Sequence, residues 1–231
     1  MAIPDVVTAL AAGRDLIPLW HNMIGGLTYG IGTELVVKWS PPGLPLAGEV
    51  ARLHWARAFV TVPEVVDAGE DERGSWFVSR RLPGENAVAD RWKAAPATAV
   101  AAVGSGLRAM HDALATDDCP FDWSVATRLS ETTDPVALQP LRDPPPVDRL
   151  VVCHGDACAP NTLLGDDGRW SAHVDLGSLG RADRWADLAV ATWSTQWNYG
   201  PGWEQALLDA YGIEADAERT DYYRRLWELT S

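Results

Sequence analysis

Two apolar runs in the C-terminal half each break straight into a polar cluster. Leu150, Val151, Val152 and Cys153 lead into His154, Gly155 and Asp156, with Asn161 further on, and WSAHVDLGSLG repeats the form, passing His173 to reach Asp175 and Gly177. A short apolar run bounded by glycine and aspartate predicts a buried strand. An aspartate just past such a strand sits at a sheet edge, held by rigid backbone yet able to reach a cleft. A chain that places two aspartates this way has a place for catalytic groups.

The rest of the chain supplies context for that pair. GGLTYGIGTELVVKWSP, residues 25–41, predicts a glycine-rich hairpin whose second strand carries Lys38 and stops at two prolines. Residues 47–58 show apolar positions at helical spacing, with Glu49 in the first turn. PEVVDAG and SWFVSRRLPG predict two more strands, so the chain up to about residue 83 reads as a small sheet with one helix. Beyond Pro83 the texture becomes Ala-rich and helical, in ATAVAAVGSGLRAMHDAL and FDWSVATRL, which predicts a boundary between 1–83 and 84–231. SETTDPVALQPLRDPPPVDR reads as an irregular connector. Residues 182–197, residues 201–211 and DYYRRLWELT predict the closing helices.

Composition narrows the partners. A formal net charge of −13 over 231 residues opposes a nucleic-acid partner and favours a small cationic ligand, although acidity also serves solubility. No run is long and apolar enough to span a membrane, and three cysteines without framework spacing, behind an N-terminus that lacks a signal-peptide pattern, predict a reducing, cytoplasmic setting.

Phosphoryl transfer needs a carboxylate to accept or orient the nucleophile's hydroxyl, oxygen ligands for Mg²⁺, a cation on the α and β phosphates, and a cover over them. Asp156, Asn161 and Asp175 supply the first two requirements in that order. Lys38, paired with Glu49 and preceded by Gly25, Gly26, Gly30 and Gly32, supplies the others.

HGDACAPN followed by HVDLGSLGRADRWADLAVAT resembles the catalytic core of the aminoglycoside 3′-phosphotransferases, within the wider family of kinase-like antibiotic and small-metabolite kinases. The resemblance implies an α+β, protein-kinase-like, two-lobed fold: an N-terminal nucleotide-binding lobe, 1–83, with an antiparallel sheet, one helix and the hinge, and a mainly helical catalytic and acceptor-binding lobe, 84–231. It implies ATP in the cleft, Asp156 as catalytic base, Asn161 and Asp175 as Mg²⁺ ligands, Lys38 on the phosphates under Gly26, and Glu49 holding Lys38. Phe77–Leu82 falls where the family's hinge carries adenine, with Ser79 and Arg81 contributing main-chain groups. The family's acidic acceptor pocket implies that Asp156 and Glu228, joined by Asp122 or Asp209, meet a cationic aminoglycoside. Gln196, Trp197, Asn198 and Tyr199 bring amides and aromatics where that pocket would bring carboxylates.

Other readings of the same residues stand beside these. Lys38 suits an edge strand as a guard against aggregation. His154, His173 and His111 suit structural imidazoles, and Asp183, Arg184 and Asp187 suit a helix cap with ion pairs. Trp185, Trp193, Trp197, Trp203 and Trp227 suit core positions, and Cys153 and Cys158 are too few for zinc. Rival functions are a two-metal hydrolase built on His154-x-Asp156 and His173-x-Asp175, a nucleotide-binding remnant without activity, and a kinase for another amino sugar or amino alcohol.

Overall fold

The computed structural model describes residues 3–131 and 138–230. The chain divides into two compact units, Met1–Ala58 with Val62–Leu82, and Phe59–Thr61 with Pro83–Ser231.

In the first unit α1 (Asp5–Ala11) precedes β1 (Leu16–His21), β2 (Leu27–Ile31), β3 (Leu35–Ser40), α2 (Ala47–Ala56), β4 (Val65–Asp71) and β5 (Gly74–Arg80). The strands form one antiparallel sheet in the order β1-β2-β3-β5-β4. Gly32, at φ 56°, turns the β2–β3 hairpin in a conformation glycine adopts at little cost. Strand alternation then decides what β3 presents. Val37 joins Ile31, Val78 and the α1 residues Val7 and Ala11 in a buried cluster, and Lys38 points to the other face. The hairpin, α2, β4 and β5 follow the sequence pattern. α1 and β1 are additions to it: α1 has seven residues and no side-chain cap, and five of the six β1 residues are exposed, so neither carries a strong periodic signal.

The second unit runs β6 (Glu85–Asn86), α3 (Asp90–Lys93), α4 (Pro96–Ala113), α5 (Val125–Ser130), β7 (Leu150–Cys153), β8 (Thr162–Leu164), β9 (Trp170–His173), β10 (Gly180–Asp183), α6 (Trp185–Tyr199), α7 (Glu204–Tyr211) and α8 (Ala217–Thr230). α4 begins with a proline, where the missing N–H costs nothing, and the Ser124 hydroxyl caps α5 by accepting from the Thr127 amide. Val100, Val103 and Leu107 of α4, Leu188 and Ala189 of α6, Leu207 of α7 and Leu226 of α8 bury together. Gly104 lets α4 approach α7 closely, because a Cβ there would lie 2.5 Å from the Leu207 carbonyl oxygen. Two small sheets, β7–β10 and β6-β8-β9, complete the unit.

The proline-rich connector lies partly outside the described residues, at 132–137. Its later part holds a 3₁₀ turn, Gln139–Leu141, tied to α8 by the Tyr222 hydroxyl donating to the Leu141 carbonyl at 3.0 Å. Among the described residues no helix is long and apolar enough to cross a membrane.

Candidate active site

In the first unit the Lys38 ammonium lies 2.7 Å from Glu49 Oε2, and Glu49 is only 6% exposed. β3 lies between β2 and β5, so Lys38 is on an inner strand and the edge-guard reading is excluded. Its backbone is committed on both sides, opposite Thr28 and Phe77, which leaves the side chain anchored by the sheet and aimed by Glu49. Gly26 closes the β1–β2 hairpin, its amide donating to Asn22 Oδ1 at 2.5 Å. Ser79 is buried in β5 opposite Val36 and Val65, and the Arg81 amide donates to the Glu34 carbonyl at 2.8 Å. The main-chain donors of Gly26 and Arg81 are therefore taken up inside this unit, which leaves Arg81 its carbonyl and its exposed guanidinium to offer a ligand.

In the second unit β7 pairs with β10 and delivers His154, Gly155 and Asp156. Gly155 has φ 82°, and a Cβ there would lie 2.2 Å from the Ser178 carbonyl oxygen, so only glycine fits the bend. The Asn161 side-chain amide donates to Asp156 Oδ2 at 3.0 Å and to the Asp156 carbonyl at 2.9 Å. The Asn161 carbonyl accepts from the Val174 amide at 3.0 Å, which brings the residue before Asp175 onto the same turn. Asp175 itself is held in the left-handed region at φ 62°, uncommon for a residue with a side chain. Burial, then the charge of Asp156 and the contact of the thiol with that carboxylate, push the Cys158 thiol well up, with a smaller push from the charge of Asp175. Asp156 Oδ1 is buried and has no hydrogen-bond partner.

The chemistry of the donor set bears on Mg²⁺. Asn161 turns its NH₂ to Asp156, which leaves its side-chain oxygen for other work, and Asp175 offers a carboxylate. These are hard oxygen donors of the kind Mg²⁺ takes, so the residues fit the ion.

What holds the 154–161 loop was not legible in the sequence. Asp187 is fully buried, accepting from the amides of His154 at 2.6 Å and Gly155 at 2.9 Å, while His111 Nε2 lies 2.9 Å away. Burial pushes its pKa up, yet the His111 ring, then His154 through its ring and its amide, outweigh that and hold the carboxyl below its ordinary value. Asp183 and Arg184 do match a cap and ion pair: Asp183 accepts from the Trp185 amide at 3.1 Å, and Arg184 Nε meets Asp148 at 2.6 Å. Asp187 instead anchors the loop. Its position inside the apolar run Ala186–Leu188–Ala189 was the available signal, since a lone carboxylate there must be buried and paired.

His154 removes one of the two ligand pairs that the two-metal hydrolase needs. His154 Nε2 bonds the Val174 carbonyl at 2.9 Å and its Nδ1 accepts from the Asp156 amide at 3.3 Å, so both ring nitrogens are used by backbone. His173 is buried and forced down to about 3 by desolvation, then by neighbouring His154. The ligating atoms of His111, Cys153 and Asp187 lie within 4.8 Å of one another, but they are engaged elsewhere: His111 Nε2 with Asp187, the Asp187 oxygens with the amides of His154 and Gly155, and the Cys153 thiol with the Asp183 carbonyl. Asp122 is spent on Ser124 and Thr127, and Asp209 accepts from Gln205 at 2.8 Å. Glu228 is exposed near the end of α8.

A Lys–Glu pair behind a glycine-rich hairpin, and an Asp–Asn–Asp set on two strand ends, define the protein-kinase-like class of phosphotransferase. The chain belongs to the phosphotransferase enzyme family, whose model matches residues 25–226. It is 34% identical over 233 residues to an aminoglycoside 3′-phosphotransferase of Streptomyces fradiae, covering 85% of each chain. Among solved structures it is similar to an aminoglycoside 3′-phosphotransferase of type VIII, with TM-score 0.79, 31% identity and 98% of each chain covered. It is also similar to an aminoglycoside phosphotransferase of Streptomyces rimosus in complex with ADP and streptomycin, with TM-score 0.71, 25% identity, and 99% of this chain and 100% of that one covered.

Proposed function

We propose that this protein transfers the γ-phosphoryl group of ATP to a hydroxyl of a small cationic acceptor, an aminoglycoside. The observation that carries the reading is Asp156 Oδ1, a buried acceptor with no partner, on a carboxylate whose other oxygen is fixed by Asn161. Asn161 fixes the plane of the carboxylate, and the second oxygen, whose one close polar neighbour is the weakly donating Cys158 thiol, is the atom left to accept a stronger hydroxyl donor once the pocket opens to it. The acceptor oxygen attacks the γ-phosphorus, the bond from that phosphorus to the β–γ bridging oxygen breaks, ADP leaves, and the hydroxyl proton passes to Asp156 Oδ1.

Residues 1–83 serve as the nucleotide-binding part and 84–231 as the catalytic and acceptor-binding part. Lys38, aimed by Glu49, neutralises the α and β phosphates. Phe77–Leu82 meets the adenine, with Ser79 at its base and Arg81 contributing its carbonyl and side chain, and the hairpin closed at Gly26 covers the phosphates. Asn161 and Asp175 hold Mg²⁺, which neutralises charge on the phosphate oxygens when bound. Glu228 meets an ammonium group of the acceptor. The nucleotide chemistry and three free cysteines suit a reducing cytoplasm.

The test is ADP release with Mg²⁺-ATP and kanamycin or streptomycin as acceptor. Asp156→Asn is expected to lower kcat by about 10²–10⁴-fold, with nucleotide affinity nearly unchanged. Turnover that survives the substitution would sink the mechanism.

A further inference from the structure

A line of polar contacts runs through the core of the second unit behind the loop that carries Asp156. Tyr211 ends α7, where Gly212 at φ 86° closes the helix, and its ring packs in the main apolar cluster, 1% exposed. The ring alone would satisfy that packing. Its hydroxyl, however, lies 2.9 Å from His111 Nδ1, across 100 residues of chain, with the two rings edge to face at 5.6 Å. His111 Nε2 in turn lies 2.9 Å from Asp187 Oδ2, and the same carboxylate accepts from the His154 and Gly155 amides.

Donor chemistry settles each joint. The Asp187 carboxyl is held below its ordinary value and can only accept, so His111 Nε2 carries a proton. A hydroxyl suits the other ring nitrogen in either of its states, donating to a bare nitrogen or accepting from a protonated one, and a phenylalanine could do neither. The terminal torsion of a histidine is soft, so a single bond at Nε2 leaves the ring free to turn, and a second bond at Nδ1 locks it. The hydroxyl is itself fixed. The Arg184 guanidinium meets it as charge and hydrogen-bond donor, which offsets part of the burial that pushes the phenol up to about 12. Arg184 Nε is held by Asp148 at 2.6 Å, and the Trp185 indole donates to the same carboxylate at 3.2 Å.

We propose that Tyr211 is a positioning residue for phosphoryl transfer: its hydroxyl locks the His111 ring, the ring holds the Asp187 carboxylate against the His154 and Gly155 amides, and those residues place Asp156. It acts through the loop alone, so it bears on kcat and not on nucleotide affinity. The rate effect rests on the phosphotransferase reading, whereas the effect on the loop does not.

The experiment compares the wild type with Tyr211→Phe, Asp187→Asn and the double variant. It measures kcat and nucleotide KM with Mg²⁺-ATP and kanamycin or streptomycin, together with hydrogen exchange of backbone amides followed by NMR. In Tyr211→Phe kcat is expected to fall about tenfold with nucleotide KM unchanged. The His154 and Gly155 amides should exchange about tenfold faster, while amides at the centre of α4 keep their wild-type rates. The double variant should be no more than about twofold slower than Asp187→Asn, because both substitutions act on one joint. A kcat in Tyr211→Phe within about twofold of the wild type overturns the proposal, as does a lowered kcat with unchanged exchange at the two amides. A double variant whose loss is the product of the two single losses overturns it, and so does faster exchange that extends to α4, which assigns the hydroxyl to global stability. If the wild type turns over no acceptor but Tyr211→Phe loosens the two amides alone, the positioning stands and the phosphotransferase reading fails. If the amides are unmoved as well, both are overturned.

Discussion

Replacing Asp187 by asparagine keeps the shape of the side chain but removes its charge and turns one acceptor oxygen into a donor. Three groups converge on this carboxylate: the amides of His154 and Gly155 and the ring of His111. An asparagine can accept with one oxygen only, so its NH₂ faces a donor and at least one bond is lost in a site closed to water. A hydrogen bond to a charged group contributes about 1.5–3 kcal/mol, and breaking a buried ionic contact costs about 3–5 kcal/mol. Asp187→Asn is therefore expected to destabilise by roughly 2–4 kcal/mol, read as a lower urea midpoint at unchanged slope. Because the two amides belong to the residues that deliver Asp156, a shift of the loop by about 1 Å should also lower kcat by about a hundredfold, with nucleotide affinity preserved. Stability within about 0.5 kcal/mol of the wild type, together with unchanged kcat, would refute the anchoring argument.

Acidification supplies an independent check on the same carboxyl. Its folded value is depressed, so its stabilisation is complete above the unfolded value, near 3.8, and is lost as pH falls below that. Acid unfolding of the wild type should thus be steeper below about pH 4 than that of Asp187→Asn. Lys38→Ala removes the ammonium proposed to meet the phosphates and leaves Glu49 buried without it. Nucleotide KM is expected to rise about tenfold to a hundredfold in a steady-state assay, and unchanged KM would remove Lys38 from the site. Gly155→Ala combines positive φ with a Cβ placed 2.2 Å from the Ser178 carbonyl oxygen. The expected outcome is a loss of at least about 1–2 kcal/mol in thermal or urea unfolding, and a fully stable variant would show that the bend relaxes.

Local pattern by itself determined much of this protein. The hairpin carrying Lys38, the helix beginning near Glu49, the paired strands of residues 65–80 and the C-terminal helices follow from spacing alone, because periods of 2 and 3.6 are written in neighbouring residues. The order Asp156, Asn161, Asp175 was likewise legible, since each residue sits at the end of a local strand or turn.

Tertiary structure decided which strand is inner, which carboxylate is buried and which indole is open. Lys38 could be told from an edge-strand guard only once β3 was seen between β2 and β5. Asp187 reaches His111 across 76 residues and His154 across 33, separations over which no periodicity operates. Trp185 and Trp197 share one helix and one residue type, yet the first is 1% exposed and the second 50%, because burial depends on what packs over a position rather than on the residue that occupies it.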